Sequence, residues 1–300
     1  MGKRLIRFGL ALVLVAALMP GLGMGAKPAL AGHSSVGFWN LGRDGGVFAH
    51  GSAGFFGSLP GRLSALGHPQ VNDVVGIAST PSGHGYWIAQ SNGGIHAFGD
   101  AQFLGSMQSL GLTPAAPIVA IVATPWGQGY WLFGADGGVI TFGNAGFFGS
   151  MAGTPLESPT VDAATSSDGQ GYFFIEQLGG LHVRGSAVYK GNIRDEVRSP
   201  VVGIHNFWFN LDGYWGAEAN GGVHARGSGT FNGSAFGTTT APISGITSPY
   251  GFSYYGGYWL VGLDGNVYEF NVPDLGNDVG PLAAPIIDIE ASRYLDSSTT

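Results

Sequence analysis

A pair of neighbouring aromatic residues recurs six times along the chain, at intervals of 42 to 48 residues. A fixed period of this length indicates a repeat protein, in which each repeat is one small unit that buries its apolar surface against its neighbours. Repetition therefore constrains the fold more than any single motif. The pairs are Phe38-Trp39, Tyr86-Trp87, Tyr130-Trp131, Tyr172-Phe173, Tyr214-Trp215 and Tyr258-Trp259.

A turn dipeptide follows each pair, and five of the six are Asp-Gly or Asn-Gly. Such dipeptides between apolar runs predict β-hairpins with type I′ turns, because that turn needs positive φ at both central residues. The flanking runs are rich in Tyr, Trp, Val, Ile and Phe, which favour strands. The dipeptides are Asp44-Gly45, Asn92-Gly93, Asp136-Gly137, Leu178-Gly179, Asn220-Gly221 and Asp264-Gly265.

Two further strands per repeat are predicted. One lies before the aromatic pair, usually directly after a proline, which fits the first residue of a strand. The other follows the hairpin, as at residues 101–105 and 145–149. Four short strands in about 43 residues are typical of a β-propeller blade. The strands before the pairs are predicted at residues 74–79, 118–123, 160–165, 201–206, 243–248 and 286–291.

The two ends of the chain are out of phase. The first aromatic pair has no preceding strand of this type, and the strand predicted at 286–291 has no hairpin after it. In a ring, the last strand completes the first repeat, whereas an open array would leave exposed edges that proteins avoid. We therefore predict a closed six-bladed β-propeller of four-stranded repeats. The alternative is a β-solenoid.

The N-terminus has the features of a secretory signal peptide. Lys3, Arg4 and Arg7 precede a short apolar run, and Ala29-Leu30-Ala31 fits a cleavage site. We predict a signal peptide at residues 1–31 and a single domain at 32–300, with no membrane span in the mature chain. An uncleaved N-terminal anchor is the alternative.

Composition limits the partners. Without residues 1–31 the chain has 8 basic and 19 acidic residues, a formal net charge of −11. This charge disfavours nucleic acids and anionic membranes as partners. The chain has no cysteine, so no disulfide contributes to stability. Glycine accounts for 55 of 300 residues, which suits positive-φ turns and closely packed strands.

The aromatic pair, the turn and a later segment F-G-(D/N)-A-x-F-x-G-S form one pattern. This pattern resembles a repeat of exported actinobacterial proteins. The clearest copies are residues 85–106 and 129–150. The match weakens where Arg184 and Arg226 replace the Phe, and where Asn271 replaces a Gly. The resemblance implies an exported repeat protein associated with the cell envelope, found alone or beside cell-wall hydrolase and esterase-like domains. It implies no catalytic residues.

No motif of a known enzyme class is present. The chain lacks G-x-S-x-G, H-E-x-x-H and an EF-hand loop. His96, His182 and His224 share one repeat position, so they should occupy equivalent places in separate blades and not meet at one metal ion. We therefore predict structural histidines, no catalytic residue, no metal site and no cofactor.

One set of polar residues could converge. The strands before the pairs are expected to line the central axis of the ring. On one of the two faces of these strands, almost all residues are small or polar. Asp162, His205, Asp288 and Glu290 lie on that face and would point into a central channel. Such a set suits a hard cation or a general acid and base, and it equally suits a water-filled channel.

Aromatic residues in the loops after these strands form a second candidate. They break the repeat, whereas core aromatics should recur at equal positions, so they are freer to serve one binding site. The alternative is that they cover the apolar ends of the blades. The candidate ligand-binding residues are Trp126, Trp208, Tyr250 and Tyr254.

These features favour a secreted or envelope-associated, non-enzymatic binding or scaffold protein. Its expected ligand is cell-wall glycan or an envelope protein, and we expect a monomer. One alternative is a glycan-active hydrolase or lyase that uses the channel residues. Another is a purely structural surface protein.

Overall fold

The computed structural model describes residues 36–206, 213–250, 256–278 and 280–293. Within these ranges the regular structure consists of eighteen β-strands, an α-helix α1 at Leu59–Leu66 and a short 3-10 helix at Gln108–Leu110. The strands form six antiparallel three-stranded sheets, one for each aromatic pair. The prediction of an all-β repeat protein is confirmed. No helix within the described ranges is long and apolar enough to cross a membrane.

Each sheet consists of a leading, a middle and a trailing strand, and the sheets are numbered here by their middle strands in chain order. The leading strands of sheets 1 to 6 are β18 (Ile286–Ala291), β3 (Val74–Ser79), β6 (Ile118–Ala123), β9 (Thr160–Thr165), β12 (Val201–Asn206) and β15 (Ile243–Thr247). The middle strands are β1 (Gly37–Gly42), β4 (Gly85–Gln90), β7 (Gly129–Gly134), β10 (Gly171–Glu176), β13 (Gly213–Glu218) and β16 (Tyr258–Gly262). The trailing strands are β2 (Val47–Gly51), β5 (Ile95–Gly99), β8 (Val139–Gly143), β11 (Leu181–Gly185), β14 (Val223–Gly227) and β17 (Val267–Phe270).

The last strand of the chain belongs to the first sheet. β18 pairs antiparallel with β1, with Trp39 opposite Glu290 and Leu41 opposite Asp288. This pairing agrees with the out-of-phase ends of the sequence. The leading strands of all six sheets share one irregularity, a register shift at their second residue, which matches a β-bulge.

The repeated aromatic pairs form the core. Five tryptophans of the middle strands have no exposed surface, and the first aromatic residue of the next sheet's pair packs beside each of them. For example, the rings of Trp39 and Tyr86 have centroids 5.2 Å apart in an edge-to-face arrangement. One apolar cluster lies between each sheet and the next, and another joins sheet 6 to sheet 1 through Trp259 and Phe38. The prediction that the pairs pack in the core is confirmed.

The predicted type I′ turns are wrong. The turn glycines have positive φ, +74° at Gly137 for example, but the only described non-glycine residue with positive φ is Asn271. The hydrogen bonds Gly137 N to Gly134 O and Gly134 N to Gly138 O fit a three-residue loop that ends in a left-handed glycine. Asp136 accepts a hydrogen bond from Gly138 N at 2.9 Å, which explains why Asp or Asn precedes the glycine.

The predicted fourth strand is also absent from the described residues, because side chains occupy the backbone groups that a strand would use. In the segment 101–105, Gln102 O accepts a hydrogen bond from the indole of Trp87 at 2.7 Å. Tyr130 of the next sheet accepts from Leu104 N and donates to Gly105 O at 2.5 Å. This segment thus connects two sheets through side chains, and the segments after the trailing strands of sheets 1, 3 and 5 make the same bonds.

Candidate functional site

Two cavities contain six of the eight residues that the sequence singled out. The first, here the polar cavity, has a volume of about 70 Å³ and is lined by leading strands. Asp162, His205, Asp288 and Glu290 all lie on its wall, so the structure brings the four predicted channel residues together. The volume leaves room for only a few water molecules, far below the roughly 300–1,000 Å³ of small-molecule sites.

The two aspartates of the polar cavity make the same contacts in sheets 4 and 1. Asp162 accepts hydrogen bonds from Ala163 N on its own strand and from Ile204 N on the leading strand of sheet 5, both at 2.8 Å. Asp288 accepts from Ile289 N at 2.8 Å and from Ile77 N of sheet 2 at 3.0 Å. Each carboxyl group therefore links two neighbouring leading strands with both of its oxygens.

Burial changes the proton affinity of both aspartates. It raises the pKa of Asp162 to about 7, although the hydrogen bonds from Ile204 and Ala163 oppose the rise. Burial, followed by the charge of Asp162, raises the pKa of Asp288 well above its ordinary value. Both carboxyl groups therefore hold a proton more tightly than an exposed aspartate does.

Glu290 and Arg293 lie at one end of the polar cavity. Glu290 accepts hydrogen bonds from the hydroxyl of Ser79 at 2.7 Å and from its backbone N–H at 3.1 Å. Burial raises the pKa of Glu290, and the charge of Arg293 opposes that rise. Arg293 donates through Nε to the hydroxyl of Tyr250 at 3.0 Å and lies over the ring of that tyrosine.

His205 has a buried ring nitrogen, Nε2, that makes no hydrogen bond with the described residues. The residue as a whole is 9% exposed. Burial, followed by the charge of Arg293, lowers its pKa to about 3. The ring is therefore neutral at physiological pH, because protonation would place a second cation beside a buried guanidinium.

The second cavity, here the Trp126 groove, has a volume of about 500 Å³ and lies between sheets 2 and 3. Trp126, 72% exposed, lies in the loop between β6 and β7 and forms one wall with Gln128. This loop lies close to sheet 2, since a Cβ on Gly127 would come within 2.3 Å of Cδ of Pro81. Glycine at φ +66° is therefore required there.

Polar groups of sheet 2 form the opposite wall of the groove. Asp100 accepts hydrogen bonds from Thr80 at 2.9 Å and from Ser82 at 2.5 Å, which fix its carboxylate in place. Ser82, Asp100 and Gln102 are exposed and line the groove. An exposed indole facing hydroxyl, amide and carboxylate groups can bind a ligand that has one apolar face and many hydroxyl groups.

The predicted aromatic site is not one cavity. Trp126 lines the groove, whereas Tyr250 lines the polar cavity beside Arg293. Trp208 and Tyr254 lie outside the described residues. The sequence alone did not identify the polar groups of the groove. The groove is formed by three short segments from two repeats, and no motif links these segments.

The repeated histidines make equivalent contacts within separate sheets. Nε2 of His182 lies 2.7 Å from Glu176, and Nε2 of His224 lies 2.5 Å from Glu218. His96 contacts Gln90 at 2.8 Å in the same way. In the described part of the chain, no group of three or more His, Asp or Glu side chains could hold a metal ion.

Comparison with known proteins yields no family. A scan against protein-family models finds no match, and a search of curated proteins finds no significant match. Function is therefore inferred from the geometry of the two cavities.

Proposed function

We propose that the six sheets are the blades of a closed six-bladed β-propeller. Two contacts support closure: the pairing of β18 with β1, and the apolar cluster between Trp259 of sheet 6 and Phe38 of sheet 1. The hydrogen bonds of Asp162 and Asp288 between adjacent leading strands also fit strands packed side by side around an axis. The blades have three strands, with the segment after each trailing strand in place of a fourth.

On this fold the protein acts as an exported, non-enzymatic binding module of the cell envelope. The charged n-region and A-x-A site support export, and the resemblance to exported actinobacterial repeats supports an envelope location. The ligand is cell-wall glycan, bound in the Trp126 groove. The observation that carries this proposal is the 72% exposed Trp126 at the wall of a groove of about 500 Å³.

Glycan suits this groove for a chemical reason. One face of a pyranose ring presents C–H groups that pack flat on an indole, while its hydroxyl groups point outward to hydrogen-bond partners. Trp126 supplies the apolar surface, and Asp100, Gln102 and Gln128 supply acceptors and donors. The groove volume lies within the range of known small-molecule sites.

The polar cavity does not favour the alternative of a glycan-active enzyme. Its volume of about 70 Å³ is too small for a sugar ring, and both oxygens of Asp162 and Asp288 accept backbone hydrogen bonds. A catalytic carboxyl group must instead reach the substrate. The contacts of these aspartates favour a role in joining the leading strands.

The test measures binding of the mature chain to purified peptidoglycan by co-sedimentation, and to a peptidoglycan tetrasaccharide by calorimetry. We expect Trp126→Ala to weaken both by about tenfold or more, since an aromatic contact in a binding site contributes on the order of 1–3 kcal/mol. Phe236→Ala, which truncates another exposed aromatic outside the groove, is the matched control. Unchanged binding in Trp126→Ala would refute the site, and no binding by the native chain would favour a structural surface protein.

A further inference from the structure

One repeat position presents an exposed aromatic ring in five of the six sheets. Its members, here the exposed aromatic series, are 50–62% exposed, whereas the aromatic pairs of the middle strands are buried. In the chain, each ring comes directly after the residue whose carbonyl accepts a hydrogen bond from the tryptophan indole. Sheet 4 has no such tryptophan, and its ring occupies the equivalent position in the repeat. The series consists of Phe55, Phe103, Phe147, Tyr189 and Phe231.

Packing does not require an aromatic residue at this position. The next residue along the chain, Phe56 in sheet 1 and Phe148 in sheet 3, turns inward and packs on the core. In sheet 6 the equivalent residue is Asp274, which is exposed. Since a charged residue satisfies the fold there, the five exposed rings need another explanation.

The backbone on both sides of four of the five rings is held by hydrogen bonds. Around Phe147, Gly146 O accepts from the indole of Trp131 at 2.7 Å, and Phe148 N donates to the hydroxyl of Tyr172 at 3.1 Å. The same bonds surround Phe55, Phe103 and Phe231. The rings are thus presented on fixed backbone, which lowers the entropy cost of binding.

We propose that the exposed aromatic series extends the Trp126 groove into an extended binding surface for a long glycan strand, with successive sheets contacting different sugars of the same strand. This proposal rests on the proposed function. Phe103 connects the series to the groove along the chain, because its two sequence neighbours, Gln102 and Leu104, both line the groove. Phe55 and Phe147 occupy the equivalent position in sheets 1 and 3, which pack on either side of sheet 2.

The distribution of the rings favours a polysaccharide over other occupants. One ring per sheet provides separate stacking surfaces, whereas a protein partner or second copy fits a continuous apolar patch. The formal net charge of −11 without residues 1–31 disfavours an anionic membrane. A polymer that contacts several weak sites at once gains affinity by multivalency.

The experiment compares the peptidoglycan tetrasaccharide with long soluble glycan strands, using the mature chain. We expect the native chain to bind long strands about a hundredfold more tightly than the tetrasaccharide. The double variant Phe55→Ala/Phe147→Ala should weaken long-strand binding at least tenfold and leave tetrasaccharide binding unchanged. Phe236→Ala is again the control. Phe147→Asp introduces the residue type that sheet 6 has at this position, and it should weaken long-strand binding as Phe147→Ala does.

Each outcome separates the two proposals. Equal affinity for both lengths, or long-strand binding that the double variant leaves unchanged, would overturn the extended surface while leaving the groove intact. Tetrasaccharide binding that is insensitive to Trp126→Ala would overturn the groove itself. A dimer in sedimentation that the double variant dissociates, or binding to anionic vesicles that it abolishes, would also overturn the polysaccharide assignment.

Discussion

The hydroxyl of Tyr130 in sheet 3 donates a 2.5 Å hydrogen bond to the carbonyl of Gly105, which follows the trailing strand of sheet 2. The same hydroxyl accepts from Leu104 N at 3.3 Å. Equivalent bonds from Tyr86, Tyr172 and Tyr258 join other neighbouring sheets. In the five pairs that begin with tyrosine, this residue therefore buries its ring in the core and connects its sheet to the preceding one through its hydroxyl group.

Tyr130→Phe tests the hydroxyl separately from the ring. The change keeps the ring packing but leaves Leu104 N and Gly105 O without this partner, so we expect a loss of about 1–3 kcal/mol in the free energy of unfolding. Denaturant titration measures it. Tyr189→Phe, an exposed tyrosine, is the control and should change stability by less than about 0.5 kcal/mol. Equal effects in the two variants would contradict the role of the buried hydroxyl.

The sequence predicted the architecture well because each sheet repeats one packing problem. The period located all six middle strands, and the out-of-phase ends predicted that residues 286–291 would join the first sheet. The turn type was wrong because Asp-Gly suits two kinds of hairpin loop. The fourth strand was wrong because indole and tyrosine hydrogen bonds replace a strand ladder, and composition does not distinguish these partners.

The candidate site was predicted only in part. Alternation along the leading strands brought Asp162, His205, Asp288 and Glu290 to one cavity, because strand geometry fixes the direction of side chains. The Trp126 groove depends on how two loops approach each other. The close approach of Gly127 to Pro81 does not correspond to any recognisable sequence pattern. The exposed rings look like strand residues in sequence, and their exposure follows only from the three-dimensional packing.

Gly137 and Gly153 offer a matched pair for the turn. Both have left-handed backbone, φ +74° and +79°, but a Cβ on Gly137 would lie 2.7 Å from Cβ of Met151, whereas Gly153 has no neighbour within 4 Å. Gly153→Ala should therefore cost only the backbone strain, about 1–2 kcal/mol. Gly137→Ala should cost about 1–3 kcal/mol more because the turn must move away from Met151. Thermal or denaturant unfolding of both variants measures the difference, and similar losses would show that the contact with Met151 is unimportant.

Removal of β18 tests the closure of the proposed ring. A chain that ends at Pro285 lacks the partner of β1 and the contributions of Ile286 and Ile289 to the cluster with sheet 6. We expect it to lose cooperative unfolding or to melt far below the native chain, since two strand edges and an apolar surface become exposed. A chain that ends at Arg293 retains β18 and is the control. A native melting temperature in the shorter chain would exclude closure by this strand.

Asp162 and His205 should influence the pH dependence of stability in opposite directions. The pKa of Asp162 rises from 3.8 to about 7 on folding, so the folded chain binds the extra proton and this contribution is lost as pH rises from about 4 to 7. The pKa of His205 falls from 6.5 to about 3, so its contribution is lost as pH falls through that range. Asp288, Glu290 and Arg293 face the same cavity and are present in every variant compared.

Difference measurements report each group together with its electrostatic partners, since the charge of Asp162 also raises the pKa of Asp288. The free energy of unfolding of the native chain minus that of Asp162→Asn should decrease by about 2–4 kcal/mol between pH 4 and pH 7, because the variant lacks this titration. The corresponding difference for His205→Asn should increase between pH 3 and pH 6.5. Urea unfolding at closely spaced pH values measures both. Flat differences, or the same sign for both variants, would mean that the polar cavity is more open to water than its geometry indicates.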